Sequence, residues 1–249
     1  MNAKNIIDVK NLSASFDDRQ ILDDVNFSAK EGEITVILGG SGSGKTTILK
    51  HLLGLYDTRQ GEIIVFEQNI NLFTENELLE YYLKIGVFYQ NGALLNSLTI
   101  GENVALALEQ HTMLPSVIIE EMAHAKLELV NLEESYHLYP NQLSGGMLKR
   151  AALARAIAMD PPLLFCDEPG AGLDPVSLAS LDELLLSLKR QMGMSILMVT
   201  HEVSSIRRTA DRIVFIDKGK VVFEGSLDEA LQSSITVLVD FFNKGTGNN

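Results

Sequence analysis

The chain has 249 residues, 33 acidic and 20 basic side chains, and a formal net charge of −13. Hydrophobic residues at 46% against 21% charged make an ordinary globular mixture, which excludes disorder and collagen-like structure. Cys166 is the single cysteine, so an intrachain disulfide and a cysteine-based zinc cage are excluded. The acidity also argues against nucleic acid as a partner, because such binding needs Lys and Arg to neutralise phosphates. Apolar runs such as 34–38 and 196–199 fall far short of the ~18 residues of a membrane span. The first residues lack the apolar core of a secretory signal. The expectation is a soluble chain in a reducing interior.

The first third reads as strands over 6–10, 21–28 and 34–38, short apolar or alternating runs separated by Asp, Gly and Ser. From Lys45 to Tyr56 the period becomes helical, with Ile48, Leu52 and Leu55 on one stripe. Glu62 to Phe66 is strand-like again. Ile118, Met122, Ala125, Leu129 and Leu132 then step by three and four, so 92–145 reads as a helical insertion. An Ala-rich helix from Met147 to Met159 stops at Pro161-Pro162. After it, strand and helix alternate: a buried strand at Leu163 to Cys166, a helix from Pro175 to Gly193 capped by Asp174, and a strand from Ser195 to Thr200. A hairpin over 213–216 and 221–224 turns at Lys218-Gly219. This alternation predicts a largely parallel sheet covered on both faces. The polar end from Asn243 to Asn249 reads as unstructured.

Gly39-Gly40-Ser41-Gly42-Ser43-Gly44-Lys45-Thr46 fits G-x-x-x-x-G-K-[ST], between an apolar strand and a helical stripe. Glycines allow a tight turn whose N–H groups converge on phosphate oxygens at the positive end of a helix dipole. Lys45 is suited to the β- and γ-phosphates, and the Thr46 hydroxyl, beside Thr47, to Mg²⁺. Leu163 to Cys166 lead into Asp167 and Glu168, which a buried strand delivers to the sheet's carboxyl edge. Asp167 suits a water-mediated Mg²⁺ contact. Glu168 suits polarisation of an attacking water. Cys166 is most simply a small core residue. Leu143-Ser144-Gly145-Gly146-Met147 opens the Ala-rich helix and, alone, reads as a loop and cap.

The phosphate loop, LSGG, a strand ending Asp-Glu, Gly172-Leu173-Asp174, and His201 after a strand occur here in the order found in ABC-transporter ATPases. The resemblance covers residues 5–230. It implies an α/β fold of the P-loop ABC ATPase type: a mixed sheet with flanking helices, N-terminal antiparallel strands and a helical subdomain. One nucleotide-binding domain is implied over 1–249. Within it, 1–91 and 146–232 form the RecA-like core, 92–145 the helical subdomain and 233–249 a tail. ATP and Mg²⁺ follow as cofactors. The resemblance further implies that Phe16 stacks on adenine, and that Gln90 contacts Mg²⁺ and communicates with membrane subunits. Ser144 to Gly146 would contact the γ-phosphate held by a second copy of the chain. Asp174 would link the two active sites, and His201 would act as the γ-phosphate switch. Met147 stands for the usual Gln of LSGGQ and Gly40 for the common Pro of the loop; neither change removes a phosphate ligand.

The stretch Tyr89 to Leu95, with Ser97-Leu98-Thr99-Ile100, Glu102-Asn103-Val104 and LSGGM, resembles the Mla/MCE lipid-transport ATPases. That resemblance implies an ATPase powering phospholipid transport at the cytoplasmic face of a bacterial inner membrane. Its partners would be a permease, an MCE lipid-binding protein and a second copy of itself, with no nucleic acid. The expected docking groove for the permease lies beside Gln90 and the helical insertion, at Leu94, Leu95 and Leu98. Two alternatives stay open: an amino-acid or lipoprotein transport ATPase, and a soluble ABC ATPase without permease. Whether the apolar stripe Val237, Leu238, Phe241 and Phe242 docks on a partner or packs locally is also open.

Overall fold

The opening strands pair with each other. β1 (Asn5–Phe16) and β2 (Arg19–Lys30) run antiparallel, with Phe16 opposite Arg19 at the hairpin end. β4 (Gln60–Val65) adds to the other edge of β1. With β5 (Gln68–Asn69) they make a four-stranded sheet in the order β2-β1-β4-β5. A computed structural model of the chain, describing residues 4–17 and 19–244, sets a second sheet of six strands in the order β10-β9-β3-β8-β7-β6. In it β3 (Ile34–Gly39), β6 (Ile85–Phe88), β7 (Leu163–Asp167), β8 (Ser195–Val199) and β9 (Arg212–Asp217) are parallel. β10 (Lys220–Ser226) closes one edge antiparallel. Its turn sits at Lys218 and Gly219, both at positive φ as a two-residue hairpin turn demands.

β3 explains why that sheet reads as continuous apolar sequence. Every residue of the strand is buried, and its two faces serve different cores. Ile34, Val36 and Leu38 face a core built with the helices and Phe88, Leu164 and Met198. Ile37 faces a second core, formed with the antiparallel sheet through Ile7, Leu22, Val25 and Ile63. Burial on both sides removes the period-two alternation of a half-exposed strand.

Nine helices occur among the described residues: α1 (Lys45–Leu52), α2 (Glu75–Leu83), α3 (Ile100–His111), α4 (Ser116–Leu129), α5 (Gly145–Ala156), α6 (Pro175–Met192), α7 (Val203–Thr209), α8 (Leu227–Leu231) and α9 (Thr236–Lys244). Their ends follow local chemistry. Ser144 accepts from Met147 N at 3.4 Å to cap α5, and Thr99 with Glu102 forms a capping box on α3. α6 starts at Asp174 with Pro175 in its first turn and stops at Gly193, φ 62°. Polar ties then lock α6 to its neighbours. Buried Asp182 accepts from Ser205 Oγ at 2.6 Å and pairs with Arg208 of α7. Lys189 reaches Asp211 at 2.6 Å, and Asp211 in turn accepts from Ile34 N at 2.6 Å, where β3 begins.

The first helix is shorter than its stripe suggests. It ends at Leu52 because Gly54 turns the chain at φ 65°, which leaves Leu55 exposed. α2 and α7 escaped the periodicity reading: α2 buries only Tyr81, and α7 spans 7 residues. Three residues of the C-terminal stripe pack locally. Leu238 and Phe242 are buried, Phe241 lies edge-on to Phe215 at 5.6 Å, and Arg207 lies over the Phe242 ring; Val237 faces outward. Asn243 and Lys244 belong to α9 rather than to an unstructured end, and 245–249 lie outside the described residues.

Gly86 shows how closely β6 meets α5. A Cβ there would lie 2.4 Å from Ala156 O and 2.9 Å from Leu164 Cδ1. Helix backbone cannot step aside as a side chain can, so Gly86→Ala should destabilise the fold by about 1–3 kcal/mol. A thermal melt of the variant against the wild type measures it.

Candidate functional site

The loop after β3 is shaped by contacts that only glycine permits. At Gly39, φ is 154° and a Cβ would sit 2.0 Å from Ile216 O; at Gly44, φ is 109° and a Cβ would meet Leu22 Cδ2 at 2.6 Å. Gly40 differs, with open space around its Cβ direction. Ser43 N donates to Gly40 O at 3.3 Å and Gly219 N to Ser43 O at 3.1 Å, so the β9–β10 turn braces the loop. Lys45, first residue of α1, folds back and donates to the carbonyls of Gly39 and Gly40, both at 2.9 Å. Burial lowers its pKa, and the nearby charge of Glu168 opposes the shift. A cleft of about 250 Å³ opens here, lined by Gly42 to Thr47 and by Arg19 and Ile21 of β2.

β7 lies two strands from β3 and ends at the same edge with Asp167 and Glu168. The pKa of Asp167 is raised, by burial first and by the adjacent Glu168 charge next, with Lys50 pulling it down. Glu168 adopts φ 46°, a left-handed conformation costing about 1–3 kcal/mol in a non-glycine residue. Its N–H still donates to Val199 O at 2.8 Å, anchoring it to β8. Its carboxylate points two ways. Oε1 lies 2.8 Å from His201 Nδ1, while Oε2 is buried without a partner. Ser43 Oγ is a second buried oxygen without a partner, in the loop itself. Unpaired buried polar atoms are costly, and two at one edge mark places where a polar ligand belongs. Cys166, one residue back, is fully buried and its thiol pKa is pushed well up by burial.

The remaining residues singled out in the sequence fall elsewhere. Gln90 and Gly145 line one cleft of about 370 Å³ with Leu94, Lys149, Gly172 and Leu173. Lys149 holds the Gln90 carbonyl and Arg155 that of Ala93. Ser144 and Gly145 are exposed at the start of α5, outside the phosphate-loop cleft. Asp174 accepts from Val176 N and Ser177 N, both at 3.0 Å, and from Ser177 Oγ at 2.5 Å. The Ser177 hydroxyl, helped by these N–H groups, holds the Asp174 carboxyl below the usual carboxylate range. Phe16 is 44% exposed and edge-on to Tyr56 at 5.2 Å, so it is a surface aromatic and not core. It lines its own cleft of about 640 Å³ with His51, Tyr56 and Arg59.

Leu95 is exposed, and its backbone is pinned by Asn103: Leu95 N donates to Asn103 Oδ1 at 2.8 Å and Asn103 Nδ2 to Leu95 O at 3.0 Å. Asn103 is fully buried, a supporting role that periodicity gives no hint of. Beside this loop a cleft of about 220 Å³ is walled by Leu79 and Tyr82 of α2, Tyr89, Ala93 and His111. The sequence reading lacked α2 and so lacked this wall. The signal was present: Thr74-x-x-Glu77 is a capping box, and both of its hydrogen bonds form. Among the described residues no helix is long and apolar enough to cross a membrane. Nor does any group of three His, Cys, Asp or Glu side chains there converge as a metal cage.

Comparison with known proteins meets this geometry from outside. Residues 22–171 match the ABC transporter family. The intermembrane phospholipid transport system ATP-binding protein MlaF of Haemophilus influenzae is 40% identical over 238 residues, which is 96% of this chain and 90% of that protein. The methionine import ATP-binding protein MetN of Haemophilus ducreyi is 36% identical over 245 residues, 97% of this chain and 71% of that one. A dimeric ATP-binding cassette solved in a post-hydrolysis state with ADP and Pi superposes with a TM-score of 0.80 at 32% identity, covering 89% of this chain and 98% of that one. With the loop, the acidic strand end and the paired histidine in one fold, the chain belongs to the ABC transporter family, as an ATP-binding subunit that hydrolyses ATP.

Proposed function

We propose that the chain drives phospholipid transport between or across bacterial membranes, working as a pair beneath a membrane permease. The observation that carries the catalytic part is the divided carboxylate of Glu168, one oxygen engaged by His201 and the other buried and free. In this reading Glu168 Oε2 accepts the proton of an attacking water, with His201 bonded to the other oxygen of the carboxylate. Lys45, tethered by two loop carbonyls, presents its ammonium to the β- and γ-phosphates, with Gly39 to Thr47 supplying N–H groups around them.

The Thr46 hydroxyl and the Asp167 carboxylate are oxygen donors of the kind Mg²⁺ takes, one or two from the protein with water and phosphate completing the shell; Gln90, which lines a different cleft in this structure, would join them only on rearrangement. The ion would supply charge neutralisation at the phosphates. Phe16 is assigned to the base.

Pairing of two chains rests on Ser144 to Gly146. Ser144 and Gly145 are exposed, and a Cβ at Gly145 would meet nothing within 4 Å. A helix N-terminus left open in this way suits the γ-phosphate of a nucleotide held by the other copy. Asp174 stiffens the neighbouring turn. The likeness to MlaF, named for intermembrane phospholipid transport, supports the lipid as cargo; an MCE-type protein as the further partner and residence at the cytoplasmic face of the inner membrane belong to the same reading. MetN belongs to a methionine importer, and import of an amino acid is the second reading. The permease would dock in the cleft between α2 and the Leu95 loop.

Three outcomes test this. Gly39→Ala should abolish ATP binding, because its Cβ has no room against Ile216 O, whereas Gly40→Ala should keep affinity within about twofold; equilibrium titration with ATP compares them. Glu168→Gln keeps the size but cannot take the proton, so turnover should fall about 10²- to 10⁴-fold. With Mg-ATP this variant should elute as a dimer in size-exclusion chromatography, and a monomer at every concentration would count against the pair. Leu95→Asp should release the subunit from membranes that contain the permease while its ATP affinity and thermal melt stay unchanged, as sedimentation of native membranes would report.

A further inference from the structure

Of the hairpin that carries Phe16, the residues that line the phosphate-loop cleft are Arg19 and Ile21, not Phe16. Arg19 begins β2 directly opposite Phe16, and Ile21 lies two residues on, on the same face of the strand. The Arg19 side chain is exposed and makes no hydrogen bond, ion pair or ring contact among the described residues. Most cations around the site are committed: Lys45 to the loop carbonyls, Lys50 to the Tyr56 hydroxyl at 3.1 Å, Lys149 to the Gln90 carbonyl. In a chain of net charge −13, a free guanidinium at the wall of an anion-binding loop is a feature of the site and not of the average surface.

We propose that Arg19 is a further nucleotide-binding residue, donating to the phosphates that are not transferred. The inference rests on the reading of this cleft as the ATP site. Its position argues for the α side of the chain of phosphates. Lys45 is held back against the carbonyls of Gly39 and Gly40, whereas Arg19 belongs to the hairpin, opposite the residue assigned to the base. A planar fork of donors suits two phosphate oxygens at once, which an ammonium cannot match. Since ATP and ADP share these oxygens, Arg19 should hold both equally and should not favour the γ-phosphate.

The test is equilibrium titration of the full chain with ATP and with ADP, at low and at raised salt, for wild type, Arg19→Gln, Arg19→Lys and Lys45→Ala. Arg19→Gln should weaken ATP and ADP by the same factor, about tenfold at low salt, and the factor should shrink as salt screens the exposed charge. Arg19→Lys should recover part of the loss, and the thermal melt should not move. Unchanged affinity for both nucleotides would overturn the proposal. So would a loss confined to ATP, which would put Arg19 at the γ-phosphate, or a loss insensitive to salt with a lowered melt, which would make it structural. If Lys45→Ala also leaves both affinities untouched, the reading of the cleft as the ATP site has failed, and not the role of Arg19 alone.

Discussion

The whole site depends on a strand that is buried on both faces and must still end in a tight glycine turn. β3 can be buried on both faces because the helix-side core takes one set of its side chains and the antiparallel sheet takes the other. That burial leaves the strand no freedom of register. Asp211 takes the N–H of Ile34 at its start, and the Ile216 carbonyl presses on Gly39 at its end. The loop therefore starts from a fixed point, which favours a turn already shaped before any ligand binds. A side chain at Gly39 would move the loop or the neighbouring strand, so the anion site and the sheet are one construction.

Charge is arranged on that frame with economy. The chain is acidic overall, and the sheet edge beside the glycine loop carries two adjacent carboxylates. Burial and the mutual repulsion of Asp167 and Glu168 raise the former's pKa, and cations are distributed to offset both acids. Lys50 acts on Asp167, and Lys45 and Lys149 on Glu168. Each lysine is also held by an oxygen of the chain, so the positive charge is oriented before any ligand binds. Such orientation is what makes electrostatic stabilisation effective in a transition state.

Asp174 and His201 are tied to the frame through α6 and α7. Asp174 begins α6 and His201 precedes α7; Asp182 with Ser205 and Arg208 ties one helix to the other. Lys189 ties α6 to Asp211, and so to the start of β3. A displacement of the turn at Asp174 thus has a rigid path to the histidine beside Glu168. The loop at Leu95 is attached differently, by Asn103 of α3.

Local features are legible in the amino-acid sequence alone. The glycine loop after β3, the acidic end of β7, the caps at Ser144 and Asp174 and the turn at Lys218-Gly219 each lie within a few residues. Short-range hydrogen bonding and backbone sterics encode such features directly. Elements with weak periodicity were lost: α2, which buries only Tyr81, despite its capping box, and the stop of α1 at Gly54, a single residue against a strong stripe. Which distant segments share a wall is visible only once the chain is folded. Arg19 at the phosphate loop, α2 at the cleft beside Leu95, Asn103 behind that loop and the free oxygen of Glu168 follow from strand order and packing. A periodic pattern tells which face of an element is buried, but strand order sets what that face meets.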